Sequence, residues 1–390
     1  MPGERPKVCL VVYGPARYLR RAQRGARTLA ANGWEVVVVG IRDEETPAVE
    51  QREGYAVKRV TLSSRSLPDW SRPLRFVEAI GRTFWAAWRE DADVYNPRDI
   101  YPMLVSQLAA WLRGAVVVTD SDELNLYRNW PWTGARWWKP VAKAYEGFFL
   151  RRAVAHITSD EGRADVLAAE YGIPRPVVLL NVPDVVGTLD PDLAFREEAL
   201  AGRRWLLIYQ GALLPNRGLA ELVSAMQRLD DCALVLVGMG QLRDALRRQV
   251  ADLGLEGRVS IRDAVPHEQM MRMTAACDAG VMPIVGSCLS YVYAAPNKLF
   301  EDMMAGIPVV ASDLPDMAMV VRREGVGTLI ADPEDPAAIA DAVRRLLDDE
   351  EPPHVKGERG RAAALARYNW ELEQAKLLDV YARLPRRARR

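Results

Sequence analysis

The strongest constraint on the fold is an alternation that runs along nearly the whole chain. Short β-branched runs are followed by longer stretches with apolar residues at three- and four-residue steps. Strand then helix, repeated, is the pattern of units that builds parallel sheets. In the first half, Val8–Tyr13, Glu35–Val39, Ala56–Val60, Asp93–Tyr95, Val116–Thr119 and His156–Thr158 predict the strands of one doubly wound sheet. A second series, "RWLLIYQG", "ALVLVG", "RVSIRD", "AGVMP", "IPVVAS" and "GTLIAD", predicts another of similar size. Between them lies "PRPVVLLNVPDVVGTLDPD", whose prolines and glycine suit a linker near Pro183–Pro191. At 390 residues the chain exceeds what one core organises. It is therefore read as α/β, with an N-terminal domain over 1–187, a C-terminal domain over 188–367, and a closing helix with a basic tail over 368–390. Ligands bind outside the carboxyl ends of parallel strands, so a cleft between two such domains is the expected site.

Composition removes several alternatives. Usage is ordinary for a folded globular chain, with 49% hydrophobic and 27% charged residues. Fifty-two basic residues balance 52 acidic ones, so no broad positive field attracts nucleic acid. Cys9, Cys232, Cys277 and Cys288 show no paired spacing and three lie in apolar runs, which favours reduced thiols and a cytoplasmic setting. The apolar run Val8–Val12 is too short for a secretory core or a membrane span. His156, in "AVAHITS", reads as a core strand residue rather than a catalyst.

The most informative segment is "AAPNKLFEDMMAGIPVVASDLP". Pro296 suits a first helical turn, Gly306 the helix exit, and "IPVVAS" the next buried strand. Asn297 and Lys298 then sit at a helix N-terminus, where free amides, the helix dipole and a lysine make an anion site. Glu301, one turn later on the same face, can accept bonds from vicinal ribose hydroxyls. In "YQGALLPNRGLAEL", Gly211 follows a strand and Arg217 precedes the next helix, where a guanidinium can grip diphosphate oxygens. Gly238 and Gly240, in "LVGMGQL", mark either a tight turn or close approach of a ligand.

On these residues the chain resembles family four of the retaining glycosyltransferases, a GT-B group with two Rossmann-like domains facing a cleft and a C-terminal helix crossing back to the first. The resemblance spans nearly the whole chain and is strongest from Gly211 to Asp332. The family's strand ending in glycine and its basic-glycine pair match Gly211 and Arg217–Gly218, and its ribose-binding glutamate falls on Glu301 within an intact "PNKLFE". The closing "YNW" resembles the crossover segment. There are departures: Tyr293 occupies the first position of the usual E-x(7)-E pair, where contact with the donor sugar is expected. Ala212 replaces an arginine common after the first glycine, leaving Lys298 to compensate. Asp122 stands where many relatives carry a histidine near the anomeric carbon.

In the first domain Gly14, after the first strand, should let its loop approach the transferred sugar or leaving phosphate. Asp122 and Glu123 are candidates to bond sugar or acceptor, or a capping signal in "DSDEL"; Asp99 is an acceptor contact or a helix cap. The resemblance implies a nucleotide-diphosphate sugar donor and front-face attack with retention, the departing phosphate taking the acceptor proton. Arg217, Lys298 and the helix amides would then carry catalysis by positioning and charge stabilisation. No metal is required; Asp91-Ala92-Asp93 and Asp120-Ser121-Asp122 are chance or capping strings. Acceptors are small molecules, glycans or lipid-linked groups. A nucleotide-sugar epimerase or hydrolase, or a silent binding protein, are the rival readings. Arg17, Arg20, Arg21, Arg24 and Arg27, with the Trp-rich "NWPWTGARWWK", form a solvated face plus an aromatic lid over the acceptor, or a contact for anionic lipid. The tail "PRRARR" is expected to be disordered.

Overall fold

The computed structural model describes residues 5–14, 20–66, 72–128 and 138–385. Two compact units result: Met1–Leu179 together with Gln374–Arg390, and Leu180–Glu373.

The first unit holds β1 (Lys7–Val11), β2 (Glu35–Ile41), β3 (Val49–Arg52), β4 (Tyr55–Val60), β5 (Val94–Pro97), β6 (Val116–Ser121), β7 (Ala155–Thr158) and β8 (Val177–Val178), in the order β3-β4-β2-β1-β5-β6-β7-β8. All pairs are parallel except β3 with β4. All six expected strands are present. Sequence reading missed β3 and β8, because "VEQR" is polar with a half-exposed pattern and β8 is two residues long. β1 is buried from Val8 onward, as a strand covered on both faces must be.

The second unit holds β9 (Trp205–Gln210), β10 (Cys232–Val237), β11 (Val259–Arg262), β12 (Ala279–Met282), β13 (Val309–Ser312) and β14 (Gly327–Ile330). Its order, β11-β10-β9-β12-β13-β14, is wholly parallel. In both sheets the winding reverses beside the first strand, between β1 and β5 and between β9 and β12, and the carboxyl ends at such switch points are where ligands settle.

The change of unit falls at Leu179–Leu180, ahead of the expected 187. Val182 is fully buried in the second core beside Leu299 and Phe300, and Trp370 N donates to Pro183 O at 2.8 Å. Val186 and Leu189 also pack against this core, so apolar packing makes a wall of what proline content marked as a linker. At the far end, Tyr368 stays with the second unit by stacking on Phe300, ring centroids 5.2 Å apart, and by donating to Glu324 at 2.9 Å. Within the Trp370–Ala382 helix, residues from Gln374 belong to the first unit, where Tyr381 meets Trp34 edge-on at 5.2 Å.

The cysteines are unlinked, and Cys9, Cys232 and Cys277 are buried. Among the described residues no helix is long and apolar enough to cross a membrane. His156 is the core residue expected: Thr119 Oγ1 lies 2.9 Å from its Nδ1, and burial pushes the imidazole down to about 4.

Candidate functional site

In the second unit the site forms where β9 and β12 end. After β9 the chain turns at Gly211 and returns at Gly218, the residue preceding the Leu219–Ala225 helix. Gly218 has φ of 61°, and a Cβ there would meet Pro283 O, just beyond β12, at 2.1 Å. Only glycine lets the loop lie on Pro283, and this seating brings the Arg217 guanidinium 4.8 Å from the Tyr291 ring centroid.

Lys298 is the second residue of the Asn297–Ala305 helix, and the extended Pro296 before it offers no side-chain cap. Leu299 N donates back to Pro296 O at 2.9 Å, which leaves the Asn297 and Lys298 amides as the donors a ligand can take. The Lys298 ammonium lies 3.6 Å from the Tyr209 ring centroid, close enough to Gly211 that a Cβ there would sit 3.4 Å from Nζ. Among the described residues neither Lys298 nor Arg217 has a carboxylate within ion-pair distance. Burial, and then the neighbouring Arg217 charge, push the Lys298 amine down to about 7 against the opposing pull of Asp302 and Glu301. Two cations held together without an anion make a site that gains by binding one.

Glu301 follows one turn later, 7% exposed, with His267 Nδ1 3.8 Å from its carboxylate. Asn297 opens the helix and Tyr293 closes the Leu289–Val292 turn, both half-buried. Gly238 faces its own chain: a Cβ there would lie 1.8 Å from Gly211 O, so the missing side chain serves backbone packing. Sequence reading missed Tyr209 and Tyr291, which look like core aromatics until the cations are placed on them. It also missed the buried bond from Gln210 Nε2 to Asp302 Oδ1, 2.9 Å, which ties β9 to the helix carrying Lys298.

In the first unit Gly14 follows β1, its carbonyl accepting from Ile41 N at 2.8 Å. Asp99 follows β5 with a left-handed φ of 63° and accepts from Asp122 N at 3.2 Å. It caps nothing, since the next helix, Met103–Arg113, begins after Pro102 without a side-chain cap. The capping alternative for "DSDEL" fails too: Asp122 precedes a single turn, Asn125–Tyr127, that has no side-chain cap. Asp122 pairs instead with Arg21 at 3.1 Å, and Glu123 with Arg128 at 3.1 Å. Beneath them Asp120 is shared by Arg21, at 3.0 Å, and Arg98. Burial, then the charges of Asp122 and Glu123, push the Asp99 carboxyl up to about 7. Tyr13, Arg98, Asp99, Tyr101, Asp122 and Arg128 line a cavity of about 170 Å³.

The Asp-x-Asp strings are engaged within the protein: Asp91 with Arg113 at 3.6 Å, Asp93 with the Lys7 amide at 2.7 Å, and Asp120 and Asp122 with arginine. The arginine stripe requires a correction. Arg21 and Arg24 are buried, at 3% and 6% exposure, because this face of the Arg20–Ala31 helix packs inward; only part of the stripe remains solvated. Arg17 and most of the Trp-rich segment, 129–137, lie outside the described residues, as does the basic tail after Pro385.

Comparison with known proteins matches both units. Residues 14–182 fit the family described as glycosyl transferase 4-like domain, and residues 204–349 that described as glycosyl transferases group 1. The 2-deoxystreptamine glucosyltransferase of Streptomyces kanamyceticus is 29% identical over 367 residues, covering 87% of this chain and 91% of the relative. Among solved structures, sucrose-phosphate synthase from Thermosynechococcus elongatus superposes with a TM-score of 0.80 at 20% identity, covering 97% of this chain and 98% of the other. HepE of Anabaena in complex with UDP-glucose gives 0.73 at 18% identity, covering 97% and 100%. The chain is an enzyme, a glycosyltransferase with two parallel-sheet α/β units. It belongs to the family-4 type of the GT-B glycosyltransferases.

Proposed function

We propose that this enzyme transfers a sugar from a nucleotide-diphosphate donor to an acceptor hydroxyl with retention of configuration. The observation that carries the reading is the pair Lys298 and Arg217, two cations with no carboxylate in ion-pair distance among the described residues, beside the start of the Asn297–Ala305 helix, which no side chain caps. A diphosphate supplies the missing charge and accepts from the helix amides. Glu301 is placed one turn away for the ribose, and Asn297 and Tyr293 for the donor's polar groups. The complex of the Anabaena neighbour with UDP-glucose supports the same class of donor.

Catalysis in this reading needs no protein nucleophile. As the glycosidic bond to phosphate breaks, negative charge grows on the departing oxygen, where Lys298, Arg217 and the amides stabilise it more than in the ground state. The same oxygen takes the acceptor proton on the face where the new bond forms. Neutralisation by these groups takes the role that a metal ion fills elsewhere. Gly14 leaves room for the sugar, Asp122 orients it, and Asp99 and Glu123 receive the acceptor. The unlinked cysteines favour a reducing, cytoplasmic setting, with any membrane contact peripheral.

A thermal-shift screen of nucleotide sugars tests the donor. A compound at roughly 100 times its dissociation constant adds about 2.7 kcal/mol of stability. Stabilisation by a nucleoside diphosphate and its sugar, followed by anomer-resolved product analysis with chelator present and absent, supports the reading. Indifference to every nucleotide sugar overturns it.

A further inference from the structure

The cavity of the first unit is chemically uneven in a way that specifies its occupant. Part of the lining is aromatic: Tyr13 stacks on Tyr101 with centroids 4.9 Å apart and remains 48% exposed. A flat hydrocarbon face packs well on such a wall, and a cation beside it is attracted to the rings. The rest of the lining is charged, with Arg98 and Arg128 beside Asp99 and Asp122. Asp122 and Glu123 have arginine partners, whereas Asp99 has none within 4 Å among the described residues, only the amide of Asp122. Arg98, 6% exposed and lining the cavity, keeps its Nε without a hydrogen-bond partner.

We infer that the acceptor is a polyhydroxylated six-membered ring carrying an ammonium group, an amino sugar or aminocyclitol, stacked on Tyr13 with its ammonium on Asp99. Its hydroxyls then find the free Arg98 donor and the Asp122 carboxylate. The left-handed backbone at Asp99 is a conformation that aspartate and asparagine tolerate better than other side chains, and it turns the carboxyl toward the cavity residue Asp122 rather than toward a helix. A neutral ring gains only the stacking and the hydroxyl bonds. An ammonium also relieves a carboxyl crowded by like charges. This inference deepens the acceptor side of the proposed transfer and rests on that reading.

The test separates the two. Calorimetry on the full chain without any donor measures binding of glucosamine and 2-deoxystreptamine against glucose, N-acetylglucosamine and myo-inositol. Amine-bearing rings are expected to bind roughly tenfold or more tighter than their neutral counterparts, as befits a charge-assisted bond. Asp99→Asn, which suits the same backbone, should abolish that preference, leaving amine-bearing and neutral rings bound alike; Tyr13→Ala should weaken all of them. The stronger of glucosamine and 2-deoxystreptamine names the ring. Equal binding of charged and neutral rings, a preference that survives Asp99→Asn, or no binding by any ring overturns the inference. Since no donor is present, failure of the donor assignment leaves this result readable.

Discussion

The Lys298 ammonium sits 3.6 Å from the centroid of the Tyr209 ring, with Arg217 as its charged neighbour and, among the described residues, no carboxylate within ion-pair distance. A cation on an aromatic face gains about 0.5–2 kcal/mol. Displacing the amine from 10.5 to about 7 corresponds to roughly 5 kcal/mol against its charged form. The ring therefore does not offset burial and repulsion, and in the proposed function a diphosphate would restore the charge.

Removing either cation should lower turnover far more than stability. Lys298→Ala and Arg217→Ala are each expected to reduce kcat by on the order of a hundredfold or more, the usual cost of deleting a donor that meets developing charge. Steady-state kinetics with thermal unfolding as a folding control checks this, and near-normal rates in both variants refute the assignment.

Donor affinity should fall as pH rises above about 7. In the free enzyme Lys298 loses its proton there, whereas a diphosphate raises the amine again, so binding takes up a proton between the two values. Affinity drops up to about tenfold per pH unit in that window. Lys298→Arg, charged throughout, should flatten the profile. For stability the sign is opposite: the penalty of a buried charge is complete below the folded value near 7 and vanishes above 10.5. Lys298→Met should therefore raise the Tm of the ligand-free protein at neutral pH.

Gly218→Ala should cost more than its backbone angle alone explains. Gly172 has the same φ of 61° with open space around its Cβ position, whereas a Cβ on Gly218 meets Pro283 O at 2.1 Å. Gly172→Ala is expected to lose about 1–2 kcal/mol. Gly218→Ala should lose more and weaken donor binding as Arg217 shifts. Urea unfolding of both variants with donor titrations decides it; equal costs and unchanged affinity count against the seating of this loop.

Asp120→Ala should be among the most destabilising single changes in the first unit. It leaves Arg21 and Arg98, both over nine-tenths buried, with only the more exposed Asp122, at 3.1 and 3.9 Å, as a carboxylate in common. Breaking one partner of a buried ion pair costs about 3–5 kcal/mol, readable as a lowered denaturation midpoint. A loss below 1 kcal/mol means that solvent reaches the cluster.

Strand and helix alternation, glycine at the turns and the "PNKLFE" segment were legible because they are local. A parallel strand buried on both faces must be apolar, and a helix start that binds phosphate must carry its amides and cation in consecutive residues. The six strands of the second sheet and the placing of Lys298 and Glu301 on one helix followed from that alone. Only the tertiary structure decided what depends on meetings distant in sequence. Arg21 looked like part of a solvated stripe until β6 brought Asp120 and Asp122 to it from about a hundred residues away. Asp99 and Asp122 looked like caps until their neighbouring strands placed one carboxyl on the other's amide. Tyr209 looked like core, and Pro183–Pro191 like a linker, until packing set a lysine on the ring and Val186 and Leu189 against the second core. Periodicity records which face of an element is buried; it does not record which charge waits on the other side.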